Sequence, residues 1–455
     1  MKVAIIGAGP TGLTVAHQLS EKNLQVDIYD SAPMVGGFAK SITLWGRNVE
    51  IGPHFLDAGN IPQVHDLVLG ALNGQYTTYR RKTFIVIGNK RFFYPPVITD
   101  ILKKMNVAQL CLAAGGLIKQ TIAPAKPAKT AEAFVTQHLG AHLYRYFFCN
   151  FSKKLWGLDG GMVSDVFAKS LLGFSGGYSP LKIIYKKFSG GFTRTVQQSK
   201  YVYPLNGLTT LWEALKQKIQ QQGGKFYLSS SINEMACMKK PGKISHIFIN
   251  DGTINEYDHV ISTIPILSLI AYFKNSSGGY LQPAGHINFR SDILVYLKVQ
   301  LDDAVAGQCF YCYSETIKIT RVTNFNEFTP DKELDFAILL LEFWCSDEDE
   351  IWYATDAEIN RMAVAELQKT GIYPGLKVLD NCIKKVKNAF QIPNLDLTEN
   401  RDKLTEQLSF FQNLHITGRN ASVNFNYGME NAIKDGIDLA ATFLAGINTQ
   451  LVANA

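Results

Sequence analysis

At 455 residues the chain is too long for one ordinary hydrophobic core, so two or three domains are expected. Hydrophobic residues make up 46% and charged residues 18%, a globular balance that excludes a disordered or low-complexity chain. The net charge of +6 is spread without a long Lys/Arg block, which argues against a nucleic-acid partner.

The first element is the clearest. Val3 to Ile6 form a continuous apolar run, the mark of a strand buried on both faces of a parallel sheet. Gly7, Gly9 and Gly12 follow as G-x-G-x-x-G, and Pro10 and Thr11 open an amphipathic helix carrying Leu13, Ala16 and Leu19. A second strand, "QVDIYD", ends in Asp30. Gly7 permits the tight turn, Gly9 lets a pyrophosphate approach the backbone, and Gly12 lets helix and strand pack closely. The helix N-terminus offers N–H donors to phosphate, and Asp30 is placed to accept from a ribose. A dinucleotide is expected here.

Next come "SAPMVGGFAKS", with a second glycine pair at Gly36 and Gly37, then Phe38 and Ser41, and "NVEIGPHFLDAGN". In the latter, His54 sits behind Gly-Pro at the end of a short apolar run; taken alone it reads as a turn residue. Residues 95–190 carry helical patterns interrupted by "APAKPAKT" at 123–130, a loop by composition. Within them "VAQLCLAAGGLI" at 107–118 is too short to span a bilayer and reads as a core helix. Residues 285–345 alternate as strands. Among these strands Arg321, flanked by β-branched residues, calls for an anionic partner. Finally 414–446 reads as a strand, a Gly418-Arg419 turn and a helix starting near Met429.

Seven cysteines are scattered over the chain, and Met1-Lys2 leads directly into the first strand, so reduced thiols in a cytoplasmic protein are expected. The C-x-x-C at 309–312 has no second Cys/His pair beside it, and no metal is expected.

The glycine pair after the second strand resembles the flavoprotein family that includes amine oxidases, protoporphyrinogen oxidases and UDP-galactopyranose mutases. The resemblance implies FAD, held by Gly7, Gly9, Pro10, Thr11, Gly12, Asp30, Gly36, Gly37, Phe38, Ser41, Gly418, Arg419 and Met429. Further short segments line up in the order of the mutases: Gly52-Pro53-His54, "GNKRFFYPPV", "NFSKKLWG", "SKYVYPLNG", "FRSDILV" and "ITRVTNFNEF". By that likeness His54 and Arg321 are catalytic, and Phe151, Trp156, Lys200, Arg290, Asn426 and Tyr427 bind substrate.

The implied fold class is α/β: a Rossmann-like FAD-binding domain, a mixed β-sheet substrate domain and a helical lid. The expected division is FAD-binding at 1–90, 196–265 and 406–455, a helical substrate domain at 91–195 and the sheet domain at 266–405. The implied activity is pyranose–furanose interconversion of a nucleoside diphosphate sugar through N5 of the reduced flavin. An FAD-dependent oxidoreductase of the amine-oxidase or protoporphyrinogen-oxidase kind is the alternative. The chain departs from the mutase pattern in "NFNYGM" (424–429), where Gly428 replaces an acidic residue and Asn426 a tyrosine, and at Lys200, which replaces an arginine. No transmembrane segment is expected; peripheral membrane contact and oligomeric state stay open.

Overall fold

A computed structural model describes residues 1–57, 59–122, 127–172, 200–273, 287–300, 306–329, 335–421 and 427–453. Two compact units share the chain. One comprises Met1–Thr77, Val202–His286 and Thr398–Ala455, and the other Thr78–Tyr201 and Ile287–Leu397.

The first unit is built on a five-stranded sheet, every pair of which is parallel. β1 (Lys2–Ile6) lies at its centre, between β2 (Gln25–Tyr29) and the strand His259–Ser262. Leu414–Ile416 and Lys225–Tyr227 form the edges. Because both faces of a central parallel strand are covered, Val3, Ala4 and Ile5 are fully buried, as their unbroken apolar run requires. α1 (Pro10–Ser20) packs Leu13, Val15, Ala16 and Leu19 into the core of this unit. Trp212 from the helix Thr209–Gln221 and Ile433 from the C-terminal helix Met429–Ala453 enter the same core. The chain thus returns to the first sheet twice, at His259–Ser262 and at Leu414–Ile416, the latter the strand expected within 414–446.

The second unit contains a seven-stranded mixed sheet in the order Lys377–Gln391, Phe289–Gln300, Ala337–Cys345, Arg321–Asn324, Cys309–Cys312, Thr83–Ile87 and Lys90–Phe93. Its one parallel pair joins Cys309–Cys312 to Thr83–Ile87. On the adjacent strands Phe289–Gln300 and Ala337–Cys345, the inner positions Ile293, Val295, Leu297 and Leu339, Leu341, Phe343 form a core onto which Ile359, Ala363 and Leu367 of the helix Asp356–Thr370 pack. Among the described residues this unit also contains helices, including Val107–Ile122, Ala131–Tyr144 and Asn150–Trp156.

One expectation is corrected here. The segment 107–118 forms a helix, but not a core helix: Val107 is 76% and Ile118 61% exposed. Its apolar residues run around most of the cylinder, and among the described residues the stripe with Ala113 and Gly116 packs toward Ala131–Tyr144.

Candidate functional site

Three residues, Gly7, Ala8 and Gly9, turn the chain from β1 into α1. The Gly7 N–H donates to the Tyr29 carbonyl at 2.8 Å, tying the turn to β2. A Cβ on Gly12 would stand 1.9 Å from the Gly7 carbonyl oxygen, so the first helical turn lies directly on the loop. Gly9 occupies the N-cap and has no side chain to cap the helix, while Pro10 lacks an N–H. The positive end of α1 therefore presents N–H groups without a side-chain cap, a cradle suited to a pyrophosphate.

The second glycine pair meets the first. A Cβ on Gly37 would lie 3.2 Å from the Gly9 Cα, and the Gly36 N–H donates to the Ala8 carbonyl at 2.8 Å. Trp212 locks this contact from beneath: its Nε1–H donates to the Ala39 carbonyl, and its indole fills the space a Gly36 side chain would need. Phe38, partly exposed, lies under the Arg419 guanidinium at 5.5 Å from the ring centre. Two expected cofactor residues, far apart in sequence, are thus in contact.

Asp30 stitches the loops together. Its Oδ2 accepts from the Ala8 N–H and its Oδ1 from the Ala32 N–H, both at 2.8 Å. Each carboxylate oxygen has a second lone pair, so these bonds are compatible with a ribose hydroxyl.

The C-terminal segment closes onto the start of α1. A Cβ on Gly418 would be 3.0 Å from the Thr11 Oγ1, and one on Gly436 2.8 Å from the Thr14 Cβ. The Tyr427 hydroxyl donates to the Asp435 carboxylate at 2.5 Å. Met429 is buried in the core, which leaves its backbone rather than its side chain for a ligand. The Gly428 N–H is taken by the Asn431 Oδ1 at 2.9 Å. Asn426 lies outside the described residues.

His54 is half-buried, and its Nδ1 lies 3.0 Å from the Gly52 carbonyl oxygen. A carbonyl can only accept, so this contact places a proton on Nδ1. Four residues earlier, Glu50 is fully buried and accepts from the Tyr203 hydroxyl at 2.6 Å. Burial raises its carboxyl to about 7, against the opposing effect of the Tyr203 hydrogen bond. Ser41 belongs to this network: its hydroxyl is 3.4 Å from the Glu50 Oε1 and its N–H donates to the Thr209 hydroxyl. The Ser41 side chain thus serves the buried Glu50 and the start of the helix Thr209–Gln221.

The remaining candidates belong to the second unit. Arg321 does have an anionic partner, and it is internal. Its Nε and Nη2 fork onto the two oxygens of Glu342 at 2.5 and 2.6 Å, and Nη1 donates to the Tyr311 hydroxyl at 3.2 Å. Asp292, on the neighbouring strand, is buried beside them; burial first and the Glu342 charge second push its carboxyl well above the usual range. Arg290 donates to the Trp344 carbonyl at 2.7 Å and lies against Gly157. Trp344 in turn meets Trp156 edge-on at 5.9 Å, so Trp156 and Arg290 form one cluster. Phe151 is buried against Tyr313 and Phe167, and Lys200 is exposed.

Sequence reasoning missed Glu50, Asp292, Glu342, Trp212 and Lys154. The Lys154 ammonium donates to the carbonyls of Cys312 at 2.5 Å and Ile319 at 2.7 Å, and burial pushes it down to about 8. Glu50 and Glu342, single acidic residues inside apolar runs, carried an available signal, since such a residue is buried only with a partner; Lys154 beside Lys153, and Asp292 beside Ser291 and Arg290, did not stand out in this way.

Residues 5–69 match the NAD(P)-binding Rossmann-like domain family. The chain is 25% identical over 372 residues to a dTDP-fucopyranose mutase of Escherichia coli, covering 77% of this chain and 84% of that one. It is 24% identical over 298 residues to a coproporphyrinogen III oxidase of Staphylococcus aureus, covering 60% and 62% respectively. The crystal structure of a reduced UDP-galactopyranose mutase superposes with a TM-score of 0.78 at 16% identity, covering 98% of this chain and 95% of that one. The resemblance first drawn from short ordered motifs therefore extends to the fold.

Proposed function

We propose that this chain, an enzyme of the mutase and oxidase flavoprotein type, binds FAD and interconverts the pyranose and furanose rings of a nucleoside diphosphate sugar. The observation that carries the reading is the span of the similarity to a nucleotide-sugar mutase, which runs far beyond the dinucleotide loop. The first unit fits FAD on its own geometry: an uncapped helix N-terminus, a glycine-to-glycine contact beside it, and a carboxylate at the end of β2. The α1 N-terminus with Gly9 and Thr11 would hold the pyrophosphate, Asp30 the ribose, and the Gly36–Phe38 and Gly418–Arg419 segments the remainder. When bound, FAD supplies a nucleophilic nitrogen in its reduced form and a hydride acceptor in its oxidised form.

The protein's own contribution is positional and electrostatic. His54, its tautomer set by Gly52, would hold the environment of the reduced cofactor, and cations would stabilise the departing diphosphate. Arg321 is already forked onto Glu342, so its charge is largely answered inside the protein. That pairing favours the second reading, an FAD-dependent oxidase acting on an apolar or amine substrate, for which a compensated, aromatic setting is appropriate.

The two readings separate in one experiment. The purified protein is reduced with dithionite without oxygen and offered UDP-galactose and dTDP-fucose, with ring forms separated by chromatography. Pyranose–furanose conversion dependent on reduction is the expected result. No conversion of any nucleotide sugar, with oxygen uptake on porphyrinogens or amines, would replace the mutase reading with the oxidase one.

A further inference from the structure

The helix Val107–Ile122 carries an exposed apolar face that no packing partner among the described residues covers. On its inner side Ala113 is buried, and Gly116 approaches Gly140 of the next helix so closely that a Cβ on Gly140 would be 3.0 Å from the Gly116 carbonyl carbon. The helix is therefore firmly seated. On the opposite side Val107, Cys111, Leu112, Ala114, Gly115, Ile118 and Ile122 recur at helical spacing, all exposed. Leu112 is 60% and Ile122 81% exposed, values that soluble surfaces show singly but not as a continuous stripe.

Charge decides what covers it. From Ile101 to Ala131 the sequence contains no acidic residue, whereas Lys103, Lys119 and Lys129 are all exposed. A second copy docked on this face would bring Lys119 and the exposed lysines that flank the helix in sequence near a segment with no carboxylate to answer them. An anionic bilayer answers all of them. The sixteen residues span about 24 Å, and among the described residues no helix is long and apolar enough to cross a membrane. A helix of this kind lies in the plane of the interface, its apolar stripe in the headgroup boundary and its lysine stems reaching outward. We propose that the outer face of Val107–Ile122 is a docking surface for an anionic lipid bilayer. This inference is independent of which substrate the enzyme turns over.

The test is flotation of the full-length protein with vesicles of phosphatidylcholine alone or mixed with phosphatidylglycerol, at low and high salt. The expected partition is at least about tenfold higher on the anionic vesicles and falls with salt. The double variant Leu112→Asp, Ile118→Asp alters only exposed positions, so its melting temperature should match the parent while its partition drops at least about tenfold. Failure of the parent to float, or equal flotation of the variant, would overturn the proposal. So would a dimer in sedimentation velocity that the double variant dissolves, which would assign the face to a second copy.

Discussion

Burial holds the Glu50 carboxyl at about 7, while the same group in an unfolded chain titrates near 4.5. The folded state therefore binds more protons between those two values, and stability is lost as pH rises through them. The difference of about 2.5 units corresponds to at most about 3 kcal/mol. Glu50→Gln keeps an acceptor for the Tyr203 hydroxyl and removes the ionisation. In urea unfolding the variant should match the parent at pH 4 and exceed it by up to about 3 kcal/mol at pH 8; parallel pH profiles would show that Glu50 does not titrate as assigned. His54 is a different case, because its hydrogen bond to Gly52 organises its own loop. His54→Ala should retain cofactor, read from the flavin absorbance of the purified protein, and lose roughly a hundredfold in kcat. Full activity would remove His54 from the site. The Arg321 pairing adds a lesson at this scale: the sequence required an anion but could not say whether protein or substrate supplies it.

At the scale of elements, β1, the glycine loop, α1 and β2 form one local unit whose tolerance can be measured. Gly12 stands on the Gly7 carbonyl, so Gly12→Ala must push α1 off the loop that shapes the phosphate cradle. Overpacking of this kind costs about 1–3 kcal/mol, and cofactor should be lost before the fold is. Gly115, in the exposed face of Val107–Ile122, has nothing within 4 Å of its would-be Cβ. There Gly115→Ala should be neutral or stabilise by up to about 1 kcal/mol through helix propensity. Thermal melts and flavin content of the two variants check both statements, and equal behaviour of the pair would discard the packing argument. The same helix shows where local pattern misleads: its apolar run was legible, but what it packs against was not.

Across the whole molecule, neither unit is a continuous stretch of chain: the sequence passes between them at 77/78, 201/202, 286/287 and 397/398. The dinucleotide sheet is completed only after the last of these crossings, by Leu414–Ile416 as an edge strand and by the helix Met429–Ala453 against α1. Truncation before Thr398 leaves the whole G-x-G-x-x-G motif intact but removes Gly418, Arg419 and the buried Ile433 and Phe443. The truncated protein should carry no flavin, measured by absorbance after gel filtration. Parent-like cofactor content would mean that the C-terminal segment is dispensable to the site.

What neighbouring residues can settle among themselves was legible from the chain: a fully buried strand, a glycine turn, an uncapped helix start and an acidic residue at the end of β2. Each depends on periodicity and backbone conformation within about thirty residues, where chain connectivity already fixes who meets whom. Order along the chain also carried the likeness to the flavoprotein mutases and oxidases. It took the folded chain to show that Glu50 meets Tyr203, that Gly418 rests on Thr11, that Arg321 forks onto Glu342 and that the helix at 107–122 exposes an apolar face. Burial and charge compensation are properties of what surrounds a side chain, and most of those surroundings arrive from distant parts of the sequence.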